Sequence, residues 1–387
     1  MNSRATRTLL WVIWLALLIW GATGVVHRLT EGRDLANYGS YVPWGLWVAA
    51  YIYFIGLSAG AFLLSCLIYV FGMTKLERLA RLALFTAAIT LPMALFCIWF
   101  DLGQMWRNYE VFTRPNWTSM MTWMVWLYSV YFLLILVELY VDLRRPWAGS
   151  DPRAWQHRKR RILRVLGSIG VPLAISFDGG VGALFATLGA KPLWHTGLFP
   201  VLFLTGALVS GWALILAVTS LLGEYDESQR VEMTRILSRI VLAMLLFDLL
   251  LEWAKFSIPM WYGVGPEDTA LKTLLFGETW WVFWIFHMLL GSVIPVILLI
   301  TKPTSRGATF AAGGLIAVTF MAVRLNIVIP GQVLAPTLKG LADAYQDTRL
   351  QFSYMPSAYE WSVVAFVTAA GIGAMYLGKR LLPLTEA

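Results

Sequence analysis

Ten apolar runs, each about as long as a lipid bilayer is thick, dominate this chain. A helix needs about 20 apolar residues to cross the hydrocarbon core of a membrane. Runs of that kind lie near residues 8–27, 43–72, 82–101, 117–141, 166–189, 197–222, 237–260, 279–301, 308–330 and 359–378. Only 13% of the residues are charged, against about 25% in soluble domains. Because unpaired backbone groups are costly in lipid, the runs predict an all-α integral membrane protein with ten transmembrane helices.

The distribution of Lys and Arg predicts the orientation in the membrane. Alternate ends of the predicted helices hold twenty of the 30 Lys and Arg residues, and the opposite ends hold eight. The loop RRPWAGSDPRAWQHRKRRILR, residues 144–164, contributes the largest share of the twenty. Positive charge is retained on the cytoplasmic side, so we expect both termini and this loop in the cytoplasm. The net charge of +8 then reflects topology, and lipid rather than nucleic acid is the expected surrounding.

Cysteine and histidine are too scattered to hold a redox centre. Cys66 and Cys97 fall in separate predicted helices without a CxxC spacing, so neither a disulfide framework nor an iron–sulfur cluster is expected. Of the four histidines, only His287 lies deep in a predicted helix, whereas a haem in a helical bundle needs paired axial ligands. The sequence therefore predicts no metal site, haem or cluster in this chain. Any metal centre for electron transfer would belong to another subunit.

An internal repeat relates the two halves of the chain at an offset of about 150 residues. VPWGLWVAAYIYFIGLSAG aligns with PLWHTGLFPVLFLTGALVSG, so that Trp44 and Gly56 correspond to Trp194 and Gly206. FDLGQMW aligns with LLEWAKFS, and TWMVW with TWWVFW, in the same order. Because the repeated unit contains four helices, both copies have the same orientation.

The repeat predicts two parallel four-helix bundles, runs 2–5 and runs 6–9, with runs 1 and 10 at the periphery. Small residues would allow close helix contact within this arrangement; they are Gly56, Ser58, Gly60, Gly206, Ser210 and Gly211. The corresponding division of the chain is a first peripheral helix with its outer loop (1–41), the first bundle (42–190), the second bundle (191–332), and an outer loop with the last peripheral helix (333–387).

The seventh run contains LLFDLLLEWAKFS, residues 245–257, with three ionisable residues on one helical face. A charge at the bilayer centre costs about 2.5–3.5 kcal/mol, so Asp248, Glu252 and Lys255 should face the bundle interior, near His287 and Arg324. Two interpretations remain open. The five residues form either an ion-pair network that holds the second bundle together or a relay that passes protons through water.

Three further carboxylates and a belt of aromatic residues are candidates for a site. Asp178 lies in the middle of the fifth run, before two glycines, and either binds a ligand or caps a broken helix. Asp101 ends the third run and could be a solvated interfacial residue. Glu138 is expected at the cytoplasmic interface, with a relay role as the alternative. Aromatic residues at helix ends normally form interfacial belts, but a subset near Asp101 and His195 could line a quinone pocket.

The segments VPWGLWVAAYIYFIGLSAGAFLL (42–64), FDLGQMWRNYEVFTRPNWTSMMTW (100–123) and RLNIVIPGQ (324–332) resemble the NrfD/PsrC family of membrane subunits in polysulfide-reductase-like complexes. The ten runs resemble its longer branch. The resemblance implies a quinone-binding subunit of a respiratory oxidoreductase in the bacterial or archaeal cytoplasmic membrane. Menaquinone or ubiquinone would be the substrate. A ferredoxin-like iron–sulfur subunit would dock on the outer face, with further catalytic or cytochrome subunits beyond it.

The resemblance also places the quinone at the outer end of the first bundle. It maps the pocket onto the start of the second run, the end of the third and the start of the fourth, namely Pro43, Trp44, Gly45, Asp101, Ser119 and Trp123; Asp178 and His195 are the candidates added from the residues themselves. Two positions depart from the family pattern, since Gln104 and Met105 replace the usual Arg-Pro. The competing function class is a secondary transporter that uses the charges of the seventh run as its coupling site.

Overall fold

The computed structural model describes residues 4–39, 41–146, 151–221, 226–333 and 354–384, and within these ranges the chain is helical and has no strand. Its helices are α1 (Arg4–Thr30), α2 (Leu46–Val70), α3 (Glu77–Asp101), α4 (Glu110–Thr113), α5 (Met120–Leu143), α6 (Pro152–Ala186), α7 (Phe199–Leu221), α8 (Glu227–Tyr262), α9 (Pro266–Phe276), a π-helix (Val282–Val293), α10 (Ile294–Thr301), α11 (Arg306–Val328), α12 (Pro330–Val333) and α13 (Ala358–Leu381).

The prediction of an all-helical membrane protein is confirmed. Within the described residues, nine helices are long and apolar enough to cross a membrane, with the π-helix and α10 counted as one. Each of the ten predicted runs corresponds to a long helix, but α8 is not among the nine. The number of ten spans is therefore not confirmed. Charged residues explain the difference, because Arg239, Asp248, Glu252 and Lys255 interrupt the apolar part of α8.

Two helices are much longer than the apolar runs inside them. Helix α6 has 35 residues and α8 has 36. At about 1.5 Å per residue, each is about 50 Å long, whereas the hydrocarbon core is about 30 Å thick. Asp151 caps the start of α6 by accepting a hydrogen bond from the Arg153 amide at 2.9 Å, and Pro152 occupies the first turn. The basic first turns of α6 therefore extend beyond the apolar part of the helix.

Helices α2 and α7 form the central contact of the fold. Their backbones meet at Gly60 and Gly211, where a Cβ on Gly211 would lie 2.7 Å from the Gly60 Cα. The indole of Trp212 donates a hydrogen bond to the Gly60 carbonyl at 2.9 Å. Only glycine permits this approach without a shift of one helix.

The remaining helices pack on either side of this contact. Helices α3 and α6 pack against α2, and α5 packs against α6 and α3; we call α2, α3, α5 and α6 the first bundle. Helices α8 and α11 pack against α7, and the π-helix and α10 pack against α11; these form the second bundle. Helices α1 and α13 pack on each other, and α13 also contacts α3. The numbered domain boundaries remain a prediction.

A π-helix occupies twelve residues of the second bundle, Val282–Val293. The Ser292 hydroxyl donates to the carbonyl of His287, five residues earlier, at 3.0 Å. The wider turn carries His287 to a buried position, 5% exposed. Such segments are rare and occur frequently at functional sites, so this one directs attention to the histidine.

Candidate functional sites at the outer end and in the second bundle

Asp101, the last residue of α3, is buried at the end of the first bundle that the charge distribution assigns to the outside. The residue is 8% exposed, and its Oδ1 has no hydrogen-bond partner within the described ranges. Arg33 donates to the Asp101 carbonyl at 2.7 Å, while Arg28 donates to the carbonyls of Phe100 at 2.7 Å and Leu102 at 2.6 Å. The arginines satisfy the free carbonyls of the helix end and place positive charge near a carboxylate with an open acceptor.

Tyr38 brings the loop between α1 and α2 against Asp101. Burial, reinforced by the nearby Asp101 charge, raises the pKa of Tyr38 well above its usual range. The ring of Tyr38 stacks on Tyr354 with a centroid distance of 6.0 Å. A Cβ on Gly45 would collide with both rings, so glycine is required where α2 begins. Because Tyr38 stays protonated, it is a hydrogen-bond donor beside the carboxylate.

Glu360, in the first turn of α13, closes the same region from the other side. Its carboxylate accepts a hydrogen bond from the Tyr354 hydroxyl and another from the Asn37 amide at 2.9 Å. The Tyr354 hydroxyl in turn accepts from the Leu46 amide at 2.8 Å. These residues were absent from the sequence-based site. The Ser-x-x-Glu capping box formed by Ser357 and Glu360 was the available signal.

Trp44 packs against its counterpart in the repeat. The rings of Trp44 and Trp194 are stacked, with centroids 5.7 Å apart and planes 18° apart. Gln332 fixes the backbone of Trp44, since its side-chain amide donates to the Trp44 carbonyl at 2.8 Å and its side-chain oxygen accepts from the Trp44 amide at 3.1 Å. The equivalent tryptophans therefore join the two bundles near the end that is predicted to face outward.

The structure does not bring every predicted pocket residue to Asp101. Gly45 is linked to Asp101 through Tyr38, whereas Pro43, Trp123 and His195 are exposed and Ser119 is half-buried. Trp123 donates to a carbonyl of the loop before α5 at 2.9 Å. The Nδ1 atom of His195 lies 2.8 Å from a carbonyl at the end of α6. The contribution of these four residues to a pocket stays a prediction.

Asp178 lies inside α6 and is 1% exposed. Neither of its carboxylate oxygens has a hydrogen-bond partner within the described residues. It lies in electrostatic range of Arg324 and of the hydrogen-bonded hydroxyls of Tyr51 and Tyr128. Helix α6 continues without a break from Pro152 to Ala186, so the interpretation of Asp178 as the cap of a broken helix is wrong. Of the two glycines after it, Gly180 packs closely, since a Cβ there would lie 2.4 Å from the Met124 Cε.

Glu138 is fully buried in α5, and both of its oxygens lack a hydrogen-bond partner within the described part of the chain. The expectation of an interfacial residue is therefore wrong. Asp142, one turn further along α5, is also buried but is paired, with ion pairs to Arg81 at 2.6 Å and to Lys159 at 2.8 Å. Glu138 lies one turn before these ion pairs, in the interior of the first bundle.

The charged face of α8 points into the second bundle. Asp248, Glu252 and Lys255 line a cavity of about 40 Å³, measured as the space open to the centres of water-sized molecules, and Arg324 lines it from α11. The opposite face of α8 exposes apolar side chains, such as Trp253 at 66%. This arrangement agrees with the cost of charge in lipid.

Each member of the cavity cluster has a specific neighbour. Asp248 accepts a hydrogen bond from the Thr205 hydroxyl. The Oε2 atom of Glu252 lies 3.3 Å from the Nε2 atom of His287. Lys255 lies above the ring of Phe199, with its Nζ 3.9 Å from the centroid, an arrangement that a desolvated cation favours. The cluster therefore combines carboxylates and a lysine around a space large enough for water, with His287 joined to it through Glu252.

Arg324 lies where the two bundles meet. It is 1% exposed, and its guanidinium lies over the rings of Phe203 and Phe320, with centroid distances of 4.6 Å and 5.2 Å. The repeat-related glycines leave it room, since a Cβ on either Gly56 or Gly206 would lie 3.2 Å from its Nη2. Arg324 is in electrostatic range of Asp178 and Asp248, one carboxylate from each bundle.

No cluster of three His, Cys, Asp or Glu side chains within the described ranges has the arrangement of a metal site. Cys66 and Cys97 are both buried as free thiols.

Comparison with known proteins gives the chain a family. It is 34% identical to a selenate reductase subunit of Mesobacillus selenatarsenatis, over 89% of this chain and 87% of that protein. It is 29% identical to an Hdr-like menaquinol oxidoreductase integral membrane subunit of Archaeoglobus fulgidus, over 92% and 89% of the two proteins. A polysulfide reductase chain of Wolinella succinogenes is 24% identical, over 75% of the present chain and 95% of its own length. Residues 34–336 match the family described as polysulphide reductase, NrfD, and the chain is therefore a multi-span integral membrane protein of the NrfD family.

Proposed function

We propose that this chain is the quinone-reactive membrane subunit of a respiratory oxidoreductase complex. The observation that supports it most is Asp101, a buried carboxylate with an open acceptor atom, between two arginines and a protonated tyrosine. Relatives named as a menaquinol oxidoreductase subunit and a menaquinone reductase subunit support the same substrate class. The quinone, menaquinone or ubiquinone, would be a substrate, and this chain would hold no haem or iron–sulfur cluster.

The proposed reaction joins one quinone, two electrons and two protons to form a quinol, or runs in reverse. Asp101 would exchange a proton with a quinone oxygen, a role that suits a carboxylate withdrawn from water. Tyr38 would donate a hydrogen bond to that oxygen, while Arg28 and Arg33 would stabilise negative charge there. The wider pocket is proposed to include Pro43, Trp44, Gly45, Ser119, Trp123, Asp178 and His195.

Electrons would pass to or from a ferredoxin-like iron–sulfur subunit on the outer face, joined by further catalytic or cytochrome subunits. The connections at 102–116 and 262–278 expose aromatic side chains that suit a protein partner, among them Trp106 at 69%, and Trp261 just before the second connection is 89% exposed. The third proposed contact, residues 331–357, lies for the most part outside the described residues. Relatives named as parts of selenate and polysulfide reductases support assembly into a complex.

The proposed location of the protein is the cytoplasmic membrane, with both termini in the cytoplasm. Reporter domains fused after Arg161 and after Lys339 should then report opposite compartments, with the first cytoplasmic, because most Lys and Arg lie on the side of Arg161. A second reporter, active only outside the cytoplasm, should give the opposite pattern at the same two positions. If both fusions report the same compartment, the predicted orientation and the predicted outer position of Asp101 are both wrong.

We also propose that the second bundle carries a proton relay coupled to the quinone reaction. Its members are Glu252 and His287, which lie within reach of each other, and Asp248, Lys255 and Arg324, which line the same cavity. A cavity of about 40 Å³ holds about three water molecules. Water in such a space could carry protons between these side chains, which supports a relay. Glu138 would extend the relay in the first bundle.

Quinone binding provides the direct test of the proposed function. A quinone with a photoreactive group on its ring, applied to the purified complex, should label peptides that contain Asp101 or the 31–45 loop. An iron–sulfur subunit should copurify with this protein. Quinol should no longer reduce that subunit once the label is attached. Absence of labelling, together with solute uptake by the isolated protein in liposomes, would instead support the transporter.

A further inference from the structure

A second, largely apolar cavity lies where the peripheral helix α13 meets both bundles. It measures about 390 Å³, again as the space open to the centres of water-sized molecules, and its walls come from α2, α3, α7 and α13. It is separate from the proposed quinone pocket, since the residues of its α3 wall run from Leu82 to Met93 and stop before Asp101. Lys379, an exposed residue near the end of α13, lines one end of the cavity.

We propose that this cavity binds one acyl chain of a phospholipid, with the lipid phosphate at Lys379. The threonine hydroxyls in its wall are already engaged within their own helices. The hydroxyls of Thr86, Thr90 and Thr368 each donate to a carbonyl of their own helix at 2.8 Å. A quinone ring would need polar partners for its oxygens, so the interior of the cavity suits a hydrocarbon tail.

The length of the cavity matches a lipid tail. From Leu82 to Met93 along α3, and from Thr368 to Lys379 along α13, the wall is about 16 Å long. One leaflet of the hydrocarbon core has about the same depth, half of about 30 Å. An acyl chain that spans one leaflet would therefore lie along the whole wall, with its headgroup at the end that Lys379 lines.

The position of Lys379 indicates that the occupant is a lipid with a phosphate group. A lysine near a helix end extends its ammonium group to the headgroup level. The Arg380 guanidinium lies 4.6 Å from the ring centroid of Tyr376, another cavity residue, and so adds positive charge at the same end. Phosphate is the negative group that every phospholipid presents at this depth. The bound lipid would fill the joint between α13 and α7 and hold the peripheral pair on the bundles.

Native mass spectrometry of the complex, delipidated and then incubated with phosphatidylglycerol, tests the site. The wild-type complex should retain one lipid per copy of this protein. Met375→Trp places an indole in the cavity and should weaken retention by about tenfold or more, because the lipid tail loses buried methylenes. Leu377→Trp, at a position on the same helix that is 57% exposed and outside the cavity, should leave retention unchanged.

Two further results decide the proposal. Lys379→Gln should weaken phosphatidylglycerol retention by about threefold to tenfold, whereas Arg380→Gln should change it less. This comparison is informative even if the protein does not fold with an indole at position 375. Equal retention by wild type, Met375→Trp and Leu377→Trp would overturn the proposal. So would cross-linking of residue 375 to the transmembrane helix of a partner subunit, or recovery of quinone instead of phospholipid.

Discussion

Asp101→Asn should lower quinone turnover by the complete complex by about 100-fold or more, the usual contribution of a proton-exchanging side chain. The amide keeps the shape of the carboxylate and the carbonyl bonds that Arg28 and Arg33 make around it. The expected loss therefore concerns proton exchange and not assembly. Turnover of an artificial quinol, measured with equal amounts of assembled complex, checks the result.

Asp34→Asn is the matched control for Asp101→Asn. Asp34 is an exposed carboxylate at the same end of the molecule, and its bond to His27 at 3.0 Å lowers its pKa. Its replacement should leave turnover unchanged. If Asp101→Asn and Asp34→Asn behave alike, Asp101 is an interfacial residue and the proposed pocket is misplaced.

Tyr38 supplies a comparison of pH dependence. Burial raises the pKa of Tyr38 well above its usual value near 10, so its hydroxyl stays protonated between about pH 6 and pH 9. Tyr38→Phe should therefore cost the same modest factor, about fivefold to tenfold for one hydrogen bond, at both ends of that range. An effect confined to high pH would show that Tyr38 itself titrates.

Much of the fold was predictable because membrane insertion restricts a chain to a few solutions. The apolar runs gave the helices, and the cost of charge in lipid placed Asp248, Glu252 and Lys255 on the inner face of α8. The repeat anticipated a correspondence between Trp44 and Trp194, which the structure places in contact. These features follow from periodicity and charge, which are local properties of a sequence.

The parts that sequence did not reveal depend on tertiary contacts. Tyr38 reaches the region of Asp101 from the loop before α2, and Tyr354 and Glu360 reach it from the start of α13. No local pattern connects either segment with the end of α3. Glu138 was misplaced because its depth along α5 does not tell which face of the helix is covered. The π-helix around His287 has the same apolar composition as an α-helix, so composition could not distinguish the two.

The position of Arg324 between two carboxylates leads to the other large effect. Arg324→Met should lower the free energy of unfolding by about 3–5 kcal/mol, since removing one partner of a buried ionic group strands the other. Methionine nearly preserves the length and apolar packing of the arginine against Phe203 and Phe320. Thermal unfolding in nanodiscs measures the loss, and Arg239→Met, at an exposed position of α8, is the control.

A second substitution shows whether Asp178 is the stranded partner. If Arg324 neutralises Asp178, the double variant Arg324→Met with Asp178→Asn should recover about 1–3 kcal/mol of the loss, an ordinary coupling energy for neighbours. Additive losses would show that the two bundles are not linked through this guanidinium. A second double variant, Arg324→Met with Asp248→Asn, tests the carboxylate from the second bundle.

Glu252→Gln separates a static ion-pair network from a relay. Its neighbour His287 can remain neutral, so the amide should leave no charge stranded there, and the complex should stay stable if the cluster is a relay. Such a complex would turn over quinone but move fewer protons per electron in liposomes. If the cluster only holds the bundle together, Glu252→Gln should lower stability through Lys255, the cation whose charge Glu252 offsets. A stable variant with an unchanged proton-to-electron ratio would contradict both roles for Glu252.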